Sequence, residues 1–128
     1  KENAKLNNVD NKITFLNIDI LNYFPDFSID CIVSNPPYIE EEVIPTLMED
    51  VKGYEPDIAL NGGPDGLIFY RRIAQEGYKI LRKGGLITFE VGYTQAKAVE
   101  EILIKNGFAQ TEIIKDLAGI ERIVSAIK

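Results

Sequence analysis

Asn35-Pro36-Pro37-Tyr38, directly after the apolar run Ile29-Asp30-Cys31-Ile32-Val33-Ser34, is the part of this chain with the most chemical content. Two consecutive prolines remove two backbone donors, so a strand cannot go on pairing through them, and the carbonyls around them are left to accept hydrogen bonds. Asn35 adds a side-chain carbonyl and Tyr38 an aromatic face. Together these groups can hold a planar –NH2 by its two hydrogens and by stacking. N-methylation of an amide or an exocyclic amine needs such a holder, because the nitrogen lone pair must meet the methyl donor in line and orienting a poor nucleophile is most of the catalysis. The competing reading of the four residues is a strand end followed by a polyproline turn; their place at the close of an apolar strand favours the acceptor site.

Other chemistry is narrowed by what the chain lacks. It contains no histidine, which excludes histidine triads and histidine acid–base work, and with one cysteine a zinc site is not expected, so no metal site is assigned. Cys31, inside the apolar strand, reads as a small core residue. Glu90 ends a later apolar strand, where ligands of open sheets bind, or else pairs with a basic neighbour; a structural role is favoured. Glu55-Pro56 reads as shaping a long loop. Gly62-Gly63 lacks the Lys-Ser or Lys-Thr of a phosphate loop and reads as a turn and helix cap.

At 128 residues and 45% hydrophobic, the chain is expected to form one soluble unit with a real core. No stretch approaches the length of a membrane span and no leader pattern is present, and the absence of paired cysteines fits a reducing cytoplasm. The net charge of −6 is concentrated. Glu40, Glu41, Glu42, Glu49, Asp50, Glu55 and Asp57 stand against Lys52 alone. An acidic segment beside the acceptor site repels phosphate backbones, which argues against direct nucleic-acid binding there. A solvated loop is the other reading of the same charges.

The elements that must position these residues alternate as a parallel sheet demands. Ile13 to Ile18 reads as a strand ending at Asp19, itself a typical turn residue, and Ile29 to Ser34 as a second, fully buried strand. Glu40 to Leu60 reads as a long connection with a short helix around Ile44 to Val51. Asn61 to Gly66 opens a helix on Leu67, Tyr70, Ile73, Ala74, Gly77, Ile80 and Leu81, with Pro64 in its first turn and Arg82-Lys83-Gly84 closing it. Leu86 to Val91 reads as the next strand. Thr94 then caps a helix ended by Asn106-Gly107. Thr111 to Asp116 and Arg122 to Ile127 read as a terminal antiparallel hairpin. Lys1 to Asn8 looks like the last turns of a helix, and no glycine precedes Gly53 to build a cofactor loop. Residues 1–128 are therefore expected to be the later part of a catalytic domain.

Asn35-Pro36-Pro37-Tyr38-Ile39, Tyr54-Glu55-Pro56 with Ala59-Leu60 and Gly62-Gly63, Asp65-Gly66-Leu67 with Tyr70-Arg71, Glu90-Val91-Gly92 with Gln95, and Lys115-Asp116-Leu117 with Glu121-Arg122 resemble the HemK/PrmC family of protein-glutamine methyltransferases. The likeness runs through nearly the whole chain. It implies an α/β, Rossmann-like methyltransferase fold, truncated at the N-terminus, with a mostly parallel sheet and a C-terminal antiparallel hairpin. It also implies S-adenosyl-L-methionine as methyl donor and, as partner, a peptide chain release factor methylated on the glutamine of its Gly-Gly-Gln motif. Asn35 and the Pro36 carbonyl would hold the acceptor amide with Tyr38 packed against it, in a substrate site made by Asn35, Pro36, Pro37 and Tyr38. Asp19 would lie near the cofactor's adenine, and Ser34 and Asn35 would border its methionine part. The family's N-terminal substrate-recognition domain, Gly-rich first loop and ribose-binding acidic residue have no counterpart here, and would lie upstream of Lys1. Asn-Pro-Pro-Tyr is shared with nucleic-acid amino-methyltransferases, so that activity is the alternative; a non-catalytic binding module of the same fold is the third reading.

Overall fold

The computed structural model describes residues 1–46 and 56–128. Its four strands, β1 (Ile29–Ser34), β2 (Leu81–Glu90), β3 (Ala109–Lys115) and β4 (Glu121–Ile127), form one sheet in the order β1-β2-β4-β3. The described helices are α1 (Glu2–Leu6), α2 (Asp57–Leu60), α3 (Ile68–Ile80) and α4 (Ala96–Lys105), with 3-10 turns at Asp10–Lys12 and Ile44–Thr46. β1 and β2 are parallel, which requires the crossover that α3 supplies. β4 pairs antiparallel with both β2 and β3, so β3 runs in the direction of β2 with the returning strand of the hairpin between them. The expected terminal hairpin is thus formed.

Helical spacing and strand alternation build the core. α3 buries Tyr70, Ile73, Ala74 and Gly77, α4 buries Ala96, Val99 and Leu103, and β2 and β4 answer with Ile87, Phe89, Val124 and Ala126. Tyr70 meets Phe89 edge to face at 5.2 Å between ring centroids, and Tyr78 meets Phe108 in the same way at 5.1 Å.

Several sequence expectations are corrected. Ile13 to Ile18 is not a strand: it joins no ladder, and Ile13, Phe15, Leu16 and Ile18 are all exposed. A strand needs a neighbour for its backbone groups, and none of the described strands lies beside this segment. β1 is half-buried rather than fully buried: it forms one edge of the described sheet, and of its side chains only the partly buried Ile29 and Ile32 pack against the core. Cys31 and Val33 are exposed, Val33 by 77%, so Cys31 is not a core residue. β2 begins at Leu81, immediately after α3, so Arg82-Lys83-Gly84 do not close the helix. They lie in a bulge between the pairings Ile29↔Leu81 and Cys31↔Leu86. Pro64 lies in the turn ahead of α3, and the cap position of α4 is held by Gln95, not Thr94. Of the helix expected around Ile44 to Val51, Ile44–Thr46 forms a 3-10 turn; the remainder lies outside the described residues, as do Tyr54 and Glu55.

Register decides where the chemistry sits. Ser34 pairs with Phe89, and Glu90 pairs with Ile123. The segments after β1 and β2, and the turn between β3 and β4, therefore emerge at one edge of the sheet.

Candidate active site

Asn35-Pro36-Pro37-Tyr38 leaves β1 at its carboxyl end, as expected. Asn35 is exposed, Pro36 is buried, and Pro37 and Tyr38 are half-buried. The turn cannot be pinned by prolyl N–H groups, so the residues on its far side pin it. Ile39 N–H donates to the Leu60 carbonyl at 3.0 Å, and the Ile39 carbonyl accepts from Gly62 N–H at 2.8 Å. Glu41 N–H then donates to the Gly63 carbonyl at 3.0 Å. The glycine segment before α3 thus lies against the turn as a short parallel partner, bridged at Ile39 and Asn61.

That closeness explains the glycines. A Cβ on Gly62 would stand 2.8 Å from the Tyr38 Cα, and one on Gly66, whose φ is +69°, would stand 2.4 Å from the Tyr38 carbonyl oxygen. Gly62-Gly63 is thus a turn against the site. Asn61 Oδ1 accepts from Gly63 N–H at 2.8 Å, and Asp65 Oδ1 accepts from Leu67 N–H at 3.2 Å and pairs with Arg71, which shapes the entry to α3.

The opposite wall comes from the end of β2. Tyr70, fully buried on α3, donates its hydroxyl to the Glu90 carbonyl at 2.9 Å. Burial, with the nearby Tyr38 and Glu90 adding to it, pushes the Tyr70 hydroxyl far above its ordinary pKa, so it remains a neutral donor. Glu90 is half-buried at this edge. Gln95 reaches across: its Nε2 donates to the Tyr38 carbonyl at 2.9 Å, while its Oε1 accepts from Gly92 N–H at 3.1 Å. A cleft of about 260 Å³ opens here, lined by Tyr38, Glu40, Val43, Gly92, Tyr93 and Gln95.

The carbonyls of the turn divide into two sets. Those of Tyr38 and Ile39 are occupied within the protein, whereas among the described residues the Asn35 side chain and the Pro36 and Pro37 carbonyls accept no hydrogen bond. These acceptors follow the end of β1, in the residues just before Tyr38, and are groups of the kind that can receive a planar amide.

The other expected site residues are placed differently. Ser34 ends β1 next to Asn35 and is half-buried. Asp19 is exposed, and its carboxylate accepts from Leu21 N–H at 3.0 Å and Asn22 Nδ2 at 2.6 Å, the bonding of a turn residue. No described contact joins it to Asn35. Sequence reasoning placed Tyr70 only among the apolar positions of its helix and gave Gln95 no role, although both stood in the motifs it quoted; no spacing rule marks a side chain that reaches another loop. Among the described residues no cluster of metal-binding side chains occurs, and no helix is long and apolar enough to cross a membrane.

No protein-family model matches the chain. It is 47% identical over 123 residues to a release factor glutamine methyltransferase of Thermodesulfovibrio yellowstonii, covering 96% of this chain and 44% of that protein. It is 54% identical over 99 residues to the protein of the same name from Clostridium acetobutylicum, covering 77% of this chain and 35% of the relative. The chain thus spans less than half the length of these curated relatives and matches their C-terminal part. Among solved structures, a release factor-specific protein-(glutamine-N5) methyltransferase from Alicyclobacillus acidocaldarius superposes with a TM-score of 0.50 at 30% identity, over 79% of this chain and 49% of that one. The fold is accordingly a partial Rossmann-like methyltransferase fold, and the resemblance drawn from the sequence is borne out.

Proposed function

From a chain that matches the C-terminal part of the release factor glutamine methyltransferases, we propose that the protein containing these residues methylates the side-chain amide nitrogen of the Gly-Gly-Gln glutamine of a peptide chain release factor, in the cytoplasm. The observation that supports this reading is that Asn35 Oδ1 and the Pro36 carbonyl, at the carboxyl end of β1 and two to three residues before Tyr38, accept no hydrogen bond among the described residues. Two acceptors take the two amide hydrogens and the ring packs on the amide plane, so the nitrogen is presented with its face open. Transfer forms an N–C bond, breaks the donor's S–C bond and releases one amide proton to solvent.

S-adenosyl-L-methionine supplies the methyl group as a sulfonium-bound electrophile. This chain's fit to it is partial. Ser34 and Asn35, at the carboxyl end of β1, are the residues assigned to its methionine part, while Asp19, assigned to the adenine side, has its carboxylate engaged in its own turn. No glycine precedes Gly53, so the chain's own chemistry lies on the acceptor side. Exposed Glu40, Glu41 and Glu42 come directly after the turn and favour a protein acceptor over a phosphate backbone.

The test is transfer of labelled methyl from S-adenosylmethionine to a release factor by the complete gene product. Labelling is expected, and should vanish when the Gly-Gly-Gln glutamine is replaced. Equal labelling of that control, or transfer to adenine or guanine in DNA or RNA instead, refutes the reading.

A further inference from the structure

A turn with two consecutive prolines has lost the donors that normally fix a backbone in place, so its orientation must be set through its carbonyls. Gln95 does this at Tyr38. Its Nε2 donates to the Tyr38 carbonyl at 2.9 Å and reaches the Gly66 carbonyl at 3.4 Å, and Gly92 N–H, donating to Oε1 at 3.1 Å, fixes which end of the amide faces Tyr38. One half-buried side chain therefore joins the turn after β1, the glycine segment before α3 and the segment after β2. It is itself firmly seated, at the cap position of α4, whose next residue, Ala96, is in the core. Gly66 lacks a side chain where this junction forms: a Cβ there would lie 2.5 Å from Gln95 Nε2.

We propose that Gln95 is a positioning residue for methyl transfer: by holding the Tyr38 carbonyl it sets the tilt of the Asn35–Tyr38 turn, and it leaves Asn35 Oδ1 and the Pro36 carbonyl as the acceptors for the incoming amide. The proposal rests on the acceptor-site reading above. It makes Gln95 matter to the rate of transfer, because a misplacement of about 1 Å at a reacting centre can cost on the order of a hundredfold.

The experiment compares Gln95→Glu, Gln95→Ala and Asn35→Ala with wild type in the complete gene product, measuring kcat and KM for a release factor, S-adenosylmethionine affinity and Tm. Glutamate keeps the acceptor for Gly92 N–H but sets a carboxylate against two carbonyls. Gln95→Glu should lose about 10- to 100-fold in kcat, with donor affinity unchanged. At pH values where Tm shows the variant fully folded, kcat should recover towards wild type as pH falls, since the protonated carboxyl regains a donor; a side chain that only supported the fold would leave the kcat of the folded variant at the wild-type value at every pH. Wild-type kcat in Gln95→Glu, or a loss accounted for entirely by unfolded protein, overturns the positioning role even if wild type methylates the release factor. A wild type that transfers no methyl overturns the functional reading and this inference with it, so the two failures are told apart.

Discussion

Asn35 is the residue on which the proposed chemistry turns, because its side-chain oxygen is a free acceptor at a strand end where the neighbouring backbone has no N–H to offer. Asn35→Ala should lower methyl transfer by about 3 kcal/mol of barrier, a factor on the order of hundreds, while donor affinity changes little. Single-turnover transfer measured beside donor titration checks the split; near-normal turnover would contradict it. Tyr38→Phe should be mild and Tyr38→Ala more severe, since in the proposed role the ring packs on the amide and the hydroxyl does nothing. Asp65 belongs to the same scale but to stability. The Arg71 guanidinium holds its carboxyl below the ordinary range, so the pair contributes above the unfolded-state value of 3.8, and that contribution is lost as pH falls through the lower folded value. Both side chains are about half exposed, which limits the effect to about 1 kcal/mol or less. Denaturant midpoints of Asp65→Asn should therefore lie slightly below wild type at neutral pH and converge with it in acid.

At the scale of elements, α3 does more than cross from β1 to β2. It carries Tyr70, whose hydroxyl holds the last carbonyl of β2 at the edge where the site forms. Tyr70→Phe keeps the edge-to-face packing on Phe89 but takes the donor from the Glu90 carbonyl. We expect a loss of about 1 to 3 kcal/mol in chemical denaturation, the usual cost of a buried group left without its partner. No measurable loss would show that water replaces the hydroxyl. The β3–β4 turn is built the same way. Asp116 accepts from Ala118 N–H at 2.8 Å and Ile120 N–H at 3.0 Å, and these bonds hold its carboxyl below the ordinary range. The Lys115-Asp116-Leu117 motif therefore has a structural reason in this hairpin.

Across the whole molecule, apolar surface is left uncovered on one side of β1. Val33 and Cys31 face outward from it, and Ile13, Phe15, Leu16 and Ile18 are exposed in a segment that pairs with nothing described. Apolar side chains exposed on a strand face offer a surface to an apolar dye. The 128 residues expressed alone should bind the dye ANS in proportion to folded protein, and Val33→Lys should reduce that signal without lowering Tm. The same chain should bind S-adenosylmethionine weakly or not at all by calorimetric titration, because on the proposed reading its described residues supply the acceptor side of the site. Tight binding would show that Ser34, Asn35 and their neighbours suffice for the donor.

Much of this was legible in the residues themselves. Proline pairs end strands, helical spacing buried Tyr70, Ile73 and Ala74, and the Asn106-Gly107 stop and the terminal hairpin come from local rules that do not depend on the rest of the chain. What required the tertiary structure was everything set by a partner. Ile13 to Ile18 has strand composition but no neighbour to pair with, and Cys31 has a core residue's type but lies on an edge strand's uncovered face. Gln95 joins segments that are 57 and 29 residues away. Local propensity is a property of a few adjacent residues, whereas pairing, burial and a carbonyl's remaining capacity to accept depend on which distant groups the fold brings alongside.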